Sequence, residues 1–141
     1  MNENKDIEFL RLGIKSVDSQ HQMFFDLLGE LKTQKEKREL DIAQVSLLNK
    51  FKGYAQYHFE LEEHIMTDVK YDKLEDHIKQ HEFFIKKIEE FELAISYQSA
   101  NLNEQMLNFL QKWFLGHIKE WDQNYVDFIN EREDIDHEIY T

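Results

Sequence analysis

Tyr57-His58-Phe59-Glu60-Leu61-Glu62, continued at His77-Ile78-Lys79-Gln80-His81, is the stretch on which the reading of this chain turns. His58 and Glu62 stand four apart, and so do His77 and His81. On a helix, residues four apart project from one face about a turn apart. Two consecutive helices would then each offer a pair of metal-binding side chains to a shared interior.

The residues around these pairs carry apolar side chains at helical spacing. Leu48, Phe51, Ala55, His58, Glu62 and Ile65 form one stripe, opened by a capping box at Asp41 and Gln44 and ending near Thr67. Tyr71-Asp72 marks a turn. Leu74, His77, Ile78, His81, Phe84, Ile85, Ile88 and Phe91 form the next stripe. Upstream, Asp18 reads as an N-cap before His21, Phe24, Phe25, Leu28 and Leu31, in a helix that runs to about Lys37. Downstream, beyond a loop at Ser96 to Asn101, lie Met106, Leu110, Trp113, Phe114, His117, Trp121, Tyr125 and Phe128. Four amphipathic helices with short joins predict an all-α fold, an antiparallel up-down-up-down four-helix bundle. The 141 residues suit one domain: an arm over about 1–17, with Phe9, Leu10, Leu12, Ile14 and Val17 as points of attachment, a bundle over about 18–130, and an acidic tail over about 131–141.

Composition fits. There is no Pro and only 4 Gly, so little interrupts a helix. The absence of Cys excludes disulfides, thiolate zinc sites and cysteine-held iron–sulfur clusters. A net charge of -12 would be repelled by nucleic acid and by anionic membranes, so neither is expected as a partner. The polar start, Met1-Asn2-Glu3-Asn4, is unlike a signal peptide, and no apolar run approaches a membrane span. A cytoplasmic monomer is the expectation.

A bundle core excludes His, Asp and Glu unless something compensates them. Here His21, His58, Glu62, His77, His81 and His117 all fall on inner stripes, and all four helices contribute. One inward histidine is commonly a satisfied core residue. Five with a carboxylate would cost several kcal/mol if left unpaired, and a metal ion reverses that cost. Imidazole with carboxylate and no thiolate suits iron, zinc, manganese or copper. His64, His137, Glu60 and Glu63 are expected on the solvated surface. A second carboxylate from the last helix would allow two metals to be bridged. Spacing favours Glu120, three residues after His117. Asp122, five residues on, sits roughly 140° round a regular helix.

The ordered set of motifs resembles single-domain bacterial hemerythrins. The matching elements are Gly13-Ile14, Asp18-x-x-His21, His58-Phe59-x-x-Glu62-Glu63-x-x-Met66, Tyr71, His77-x-x-x-His81-x-x-Phe84 and Trp113-x-x-x-His117-Ile118-x-x-x-Asp122. They cover about residues 12 to 126. Tyr71-Asp72, where the family usually has Tyr-Pro, departs from the pattern at a turn. The resemblance implies two iron ions with an oxo or hydroxo bridge. His77, His81 and His117 would hold one, His21 and His58 the other, and Glu62 and Asp122 would bridge them. For Asp122 to reach inward, the helix must widen between His117 and Asp122, as in a π-type bulge.

With both irons six-coordinate, this ligand set leaves one open position, on the iron with two histidines. The implied function is reversible dioxygen binding for carriage, storage or delivery. Phe59, Trp113, Phe114 and Ile118 flank the ligands in sequence and are expected to wall an apolar oxygen pocket. An oxygen or redox sensor is a competing reading, with no output domain evident in this sequence. A di-iron enzyme acting on peroxide, nitric oxide or ferrous iron is another. Ferritin-like di-iron enzymes use Glu-x-x-His motifs and more carboxylates, and this sequence contains no Glu-x-x-His. A non-enzymatic binding protein, with a redox partner of unknown identity, is therefore preferred.

Overall fold

The computed structural model describes residues 12–37, 41–97 and 103–132. Phe9 and Leu10 of the arm, the 98–101 loop, the tail beyond Arg132 with His137, and the side chain of Asp41 in the expected capping box lie outside the described residues. Helix α1 spans Lys15–Lys37, α2 Asp41–Asp68 and α3 Leu74–Ser96. The fourth rod is composite. Helix α4, Glu104–Gly116, passes through a π-helical turn, His117–Asp122, into α5, Gln123–Glu131. No strand occurs among the described residues.

Two apolar clusters fill the interior, and the chain threads them alternately. The chain leaves one cluster at Ile14, just ahead of α1, and at Val17 within it, and enters the other at Phe24. Helix α2 runs back, from Leu48, Phe51 and Ala55 to Ile65 and Met66. Tyr71 then starts the third passage, which ends at Phe84, Ile88 and Ile95. The fourth rod returns from Met106 and Leu110 to Tyr125 and Ile129. This alternation is the up-down-up-down bundle expected from the stripes. Helix α2 packs on α1 and α3, and α4 closes the bundle against α1.

The ends of the helices show how local chemistry sets the register. Helix α1 begins at Lys15, ahead of the expected cap at Asp18. Asp18 lies inside the first turn, and its carboxylate accepts from the backbone N–H of Leu12 at 2.8 Å and of Gly13 at 3.1 Å. It reaches back to tie down the entering chain, as the acidic half of a capping box does. Gly13, at φ 94°, supplies the left-handed residue this entry needs. Asn103 caps α4 by accepting from the Met106 N–H at 3.0 Å.

Helix α2 ends in a Schellman pattern. The N–H of Tyr71 donates to the Met66 carbonyl at 2.9 Å and that of Lys70 to the Thr67 carbonyl at 3.2 Å. Lys70 takes the left-handed position at φ 58°. Tyr71 then packs in the same cluster as Met66. The turn closes without the proline usual in the family at position 72.

Candidate metal centre

Between the two apolar clusters lies a polar layer. His21, His58, Glu62, His77, His81, His117 and Asp122 are all buried, none more than 2% exposed. Each is placed by its helix. His21 follows Val17 by four residues and precedes Phe24 by three, so it shares their inward face. His58 with Glu62 and His77 with His81 are stacked by regular α-helical spacing on α2 and α3.

Asp122 enters by a different route. In a π-turn the backbone bonds run from i to i+5, so residues five apart stack. His117 and Asp122 are the two ends of such a turn, and both face inward. Glu120, which simple spacing favoured, is exposed. The widened turn expected from the resemblance is present, and it turns Asp122, not Glu120, to the interior.

The ligand atoms converge. The Nε2 atoms of His77 and His81 each lie 3.1 Å from Nε2 of His117. Asp122 spans two groups: Oδ1 is 3.1 Å from His77 Nε2 and 3.0 Å from His117 Nε2, while Oδ2 is 3.2 Å from His21 Nε2. Glu62 Oε1 stands 3.3 Å from His58 Nε2 and 3.4 Å from His81 Nε2. Two overlapping sets result, Glu62, His77, His81, His117 and Asp122, and His21, His58, Glu62 and Asp122, each with ligand atoms within 4.8 Å of one another.

These donors suit cations better than one another. Both oxygens of Glu62 and of Asp122, and Nε2 of His21 and His58, have no hydrogen-bond partner among the described residues. Buried polar atoms left in that condition are costly. Two nitrogens each about 2.1 Å from one ion and at right angles lie about 3.0 Å apart. The 3.1 Å spacings from Nε2 of His117 to Nε2 of His77 and of His81 match. Two sets sharing two carboxylates are the donor arrangement for a bridged pair of ions.

The electrostatics agree. Burial is the main cause holding the His58 and His117 imidazoles below their usual range, in the neutral form a metal needs. Burial and the Asp122 charge work against ionisation of Glu62, but His58 and His81 outweigh them and bring it down to about 2. Asp122 is likewise held well below the usual carboxylate range. Burial opposes this, and His117, His21 and His77 prevail. His81 goes the other way: burial would lower it, yet the Glu62 and Glu63 carboxylates beside its ring nitrogens raise it to about 9. Tyr125, wholly buried 5.7 Å from the His77 ring, has its hydroxyl pushed well above the usual range by burial first and then by the two carboxylates.

These shifts fix the sign of a pH dependence for the metal-free protein. His81 is raised, so its contribution is complete below pH 6.5 and is lost as pH climbs towards about 9. The lowered His58 and His117 contribute in full above 6.5 and lose that contribution as pH falls. Glu62 adds a further loss between about 4.5 and about 2. Urea midpoints of the chelated protein are expected to peak near pH 6.5. A midpoint still rising between 6.5 and 9 would contradict the partners assigned to His81.

Comparison with known proteins places this centre. Residues 12–129 match the Hemerythrin HHE cation binding domain. The chain belongs to the hemerythrin family. The bacteriohemerythrin of Clostridium acetobutylicum is 33% identical over 125 residues, which cover 82% of this chain and 93% of that protein. The bacteriohemerythrin of Pseudomonas aeruginosa is 30% identical, over 85% of this chain and 77% of that protein. A wild-type hemerythrin crystal structure superposes with a TM-score of 0.73 at 21% identity, covering 81% of this chain and 87% of that one, a likeness of fold. Hemerythrins bind dioxygen at a di-iron centre, and membership carries both to this chain. The histidine and carboxylate cluster has the composition such a centre requires.

Sequence reasoning missed four neighbours of the centre. Glu63, expected in solvent, hydrogen bonds with Nδ1 of His81 at 2.7 Å, its side chain 30% exposed. Its position just after Glu62 was the available signal, since one helical step turns it from the interior towards α3. Gln20 Oε1 lies 2.7 Å from Nδ1 of His58. Phe24 packs edge-on to His58 with ring centroids 5.6 Å apart. The fourth is Tyr125, assigned only to the core stripe. His64 and Glu60 are exposed, as expected.

The four residues expected to wall an oxygen pocket divide. Phe114 packs edge-on to His21 at 5.5 Å. Phe59 stacks on His81 at 3.8 Å, and Trp113 stacks on His117 at 4.5 Å. Ile118 is fully buried in the larger apolar cluster. Phe59 and Trp113 therefore pack against the three-histidine set, while Phe114 and Phe24 border His21 and His58.

Proposed function

We propose that the seven buried side chains are the iron ligands and that the protein carries or stores dioxygen without turning it over. His77, His81 and His117 hold one iron, His21 and His58 hold the other, and Glu62 and Asp122 bridge them. The observation that carries this reading is the pair of overlapping donor sets, joined by the two carboxylates. When bound, the iron pair supplies the electrons on which dioxygen binding draws. The chain's own part is to fix the donors and to keep the site dry.

With this assignment, the unequal histidine count would leave the open position beside His21 and His58. Phe24 is 1% and Phe114 2% exposed there, and their rings lie 4.2 Å apart. Such walls admit a small neutral gas and hinder water and protons. Release of dioxygen in reduced, protonated form as peroxide would leave the metal oxidised, and a wet site favours that loss. Phe114→Ser or Phe24→Ser is therefore expected to speed autoxidation about tenfold or more, the weight of roughly 1.4 kcal/mol in the barrier. Trp113→Ser, on the opposite side, is expected to change it less. Decay of the oxygenated protein's absorbance measures the rate, and equal rates for all three variants would count against this placement of the pocket.

Carriage is favoured over catalysis by the donor set, which is rich in imidazole and holds two carboxylates. An oxygen electrode separates the two readings. With excess reductant, a carrier consumes dioxygen at its slow autoxidation rate, whereas sustained consumption over many turnovers would favour an oxidase or peroxidase. A cytoplasmic monomer is part of this proposal, and among the described residues no helix is long and apolar enough to cross a membrane.

A further inference from the structure

The two sets of ligands differ in what stands behind them. Each imidazole faces the centre through Nε2, so its Nδ1 points away and needs an acceptor. Among the described residues only His58 and His81 have one. His58 Nδ1 meets the neutral amide oxygen of Gln20 and His81 Nδ1 meets the carboxylate of Glu63, both at 2.7 Å. Nδ1 of His21, His77 and His117 finds no partner there.

An acceptor on Nδ1 fixes the proton on that nitrogen and leaves the Nε2 lone pair for the metal. An ionised acceptor does more, because it draws on the Nδ1 proton and makes Nε2 the stronger donor. Glu63 also borders an open groove between α2 and α3, lined by Phe59, His81, Glu60, Glu82 and Glu89. Its charge is therefore kept hydrated on one side while it serves a buried ring on the other.

We propose that Glu63 is a positioning residue that makes the two halves of the centre unequal. It orients His81 and strengthens it as a donor to the three-histidine ion, while Gln20 orients His58 without adding charge. The consequence is a bias in where positive charge settles. The three-histidine ion is the better stabilised when oxidised, and the ion beside the open position keeps the weaker donors. This rests on the ligand assignment proposed above.

The test compares Glu63→Gln, which keeps an acceptor and removes the charge, with Glu63→Ala, which removes both. Glu60→Gln, at an exposed carboxylate in the same groove, controls for the general field. Two readouts apply to the full chain. One is cobalt(II) affinity, measured by competition with a chelator. The other is the midpoint potential of the iron-loaded protein.

Glu63→Ala is expected to lower cobalt(II) affinity about 10- to 100-fold. Glu63→Gln should retain most of that affinity while raising the midpoint potential, and Glu60→Gln should change neither. A purely structural role for Glu63 would not separate the two variants in this way. If Glu63→Ala fails to fold, the potential of Glu63→Gln decides alone. An unshifted potential in Glu63→Gln, with His81→Ala losing metal, overturns the role of Glu63 and leaves the ligand assignment standing. If His81→Ala binds cobalt(II) as tightly as the parent chain, the ligand assignment itself fails, and the proposal falls with it.

Discussion

Asp122→Ala is expected to release the iron pair, whereas Glu120→Gln is expected to leave iron content and oxygen binding unchanged. The two residues sit two apart on one helix and differ in exposure from buried to solvated. Asp122 presents one oxygen to each donor set, 3.0 Å and 3.1 Å from His117 and His77 and 3.2 Å from His21. With the proposed assignment, removing it would take a donor from both ions at once. Loss of a residue that merely supports a ligand already costs about 10- to 100-fold in affinity, so loss of a bridging carboxylate should exceed about 100-fold. Iron per chain after gel filtration and the visible spectrum in air report the effect. Full iron content in Asp122→Ala would remove the bridge from the account. A loss on Glu120→Gln would mean that the π-turn presents the wrong carboxylate.

Stripping the metal is expected to lower the thermal midpoint by about 15 °C while leaving most of the helix intact. A ligand held at about a thousand times its dissociation constant stabilises by about 4 kcal/mol. A domain of this size shifts by roughly 4 °C for each kcal/mol. Without metal the layer holds five imidazoles and two carboxylates with most of their inner atoms unpartnered. The apolar clusters on either side do not depend on that layer, so the bundle should remain helical. Circular dichroism melts of iron-loaded and chelated protein make the comparison. Equal midpoints would mean that the layer is satisfied without metal.

Much of this was readable in the residues. Alternation of the apolar clusters along the chain follows from stripes at 3.6-residue spacing, and the inward histidines stood out because a core rarely holds them. Asp122 did not follow from periodicity. A π-turn shifts the phase of a helix without a marker residue, so spacing pointed to Glu120, and only family resemblance selected Asp122. The start of α1 was misplaced for a related reason. Asp18 has the composition of a cap, yet it acts from inside the first turn, and the true entry is set by the left-handed Gly13. Glu63 and Gln20 were passed over because a polar residue one step from an inner stripe reads as solvent-facing, even though that one step is the signal that it can turn to a neighbouring helix. Whether it turns to a neighbouring helix depends on packing that composition does not encode.

The polar layer is proposed to hold two irons with one position open to dioxygen. The direct measurement is a cycle on one sample: load iron anaerobically, count it, record the visible spectrum, admit air, then remove oxygen. Two irons per chain, a nearly colourless reduced protein, strong visible absorption in air, and return to the colourless state on deoxygenation are expected. Fewer than two irons, or a colour that never reverses on the first exposure, would contradict it.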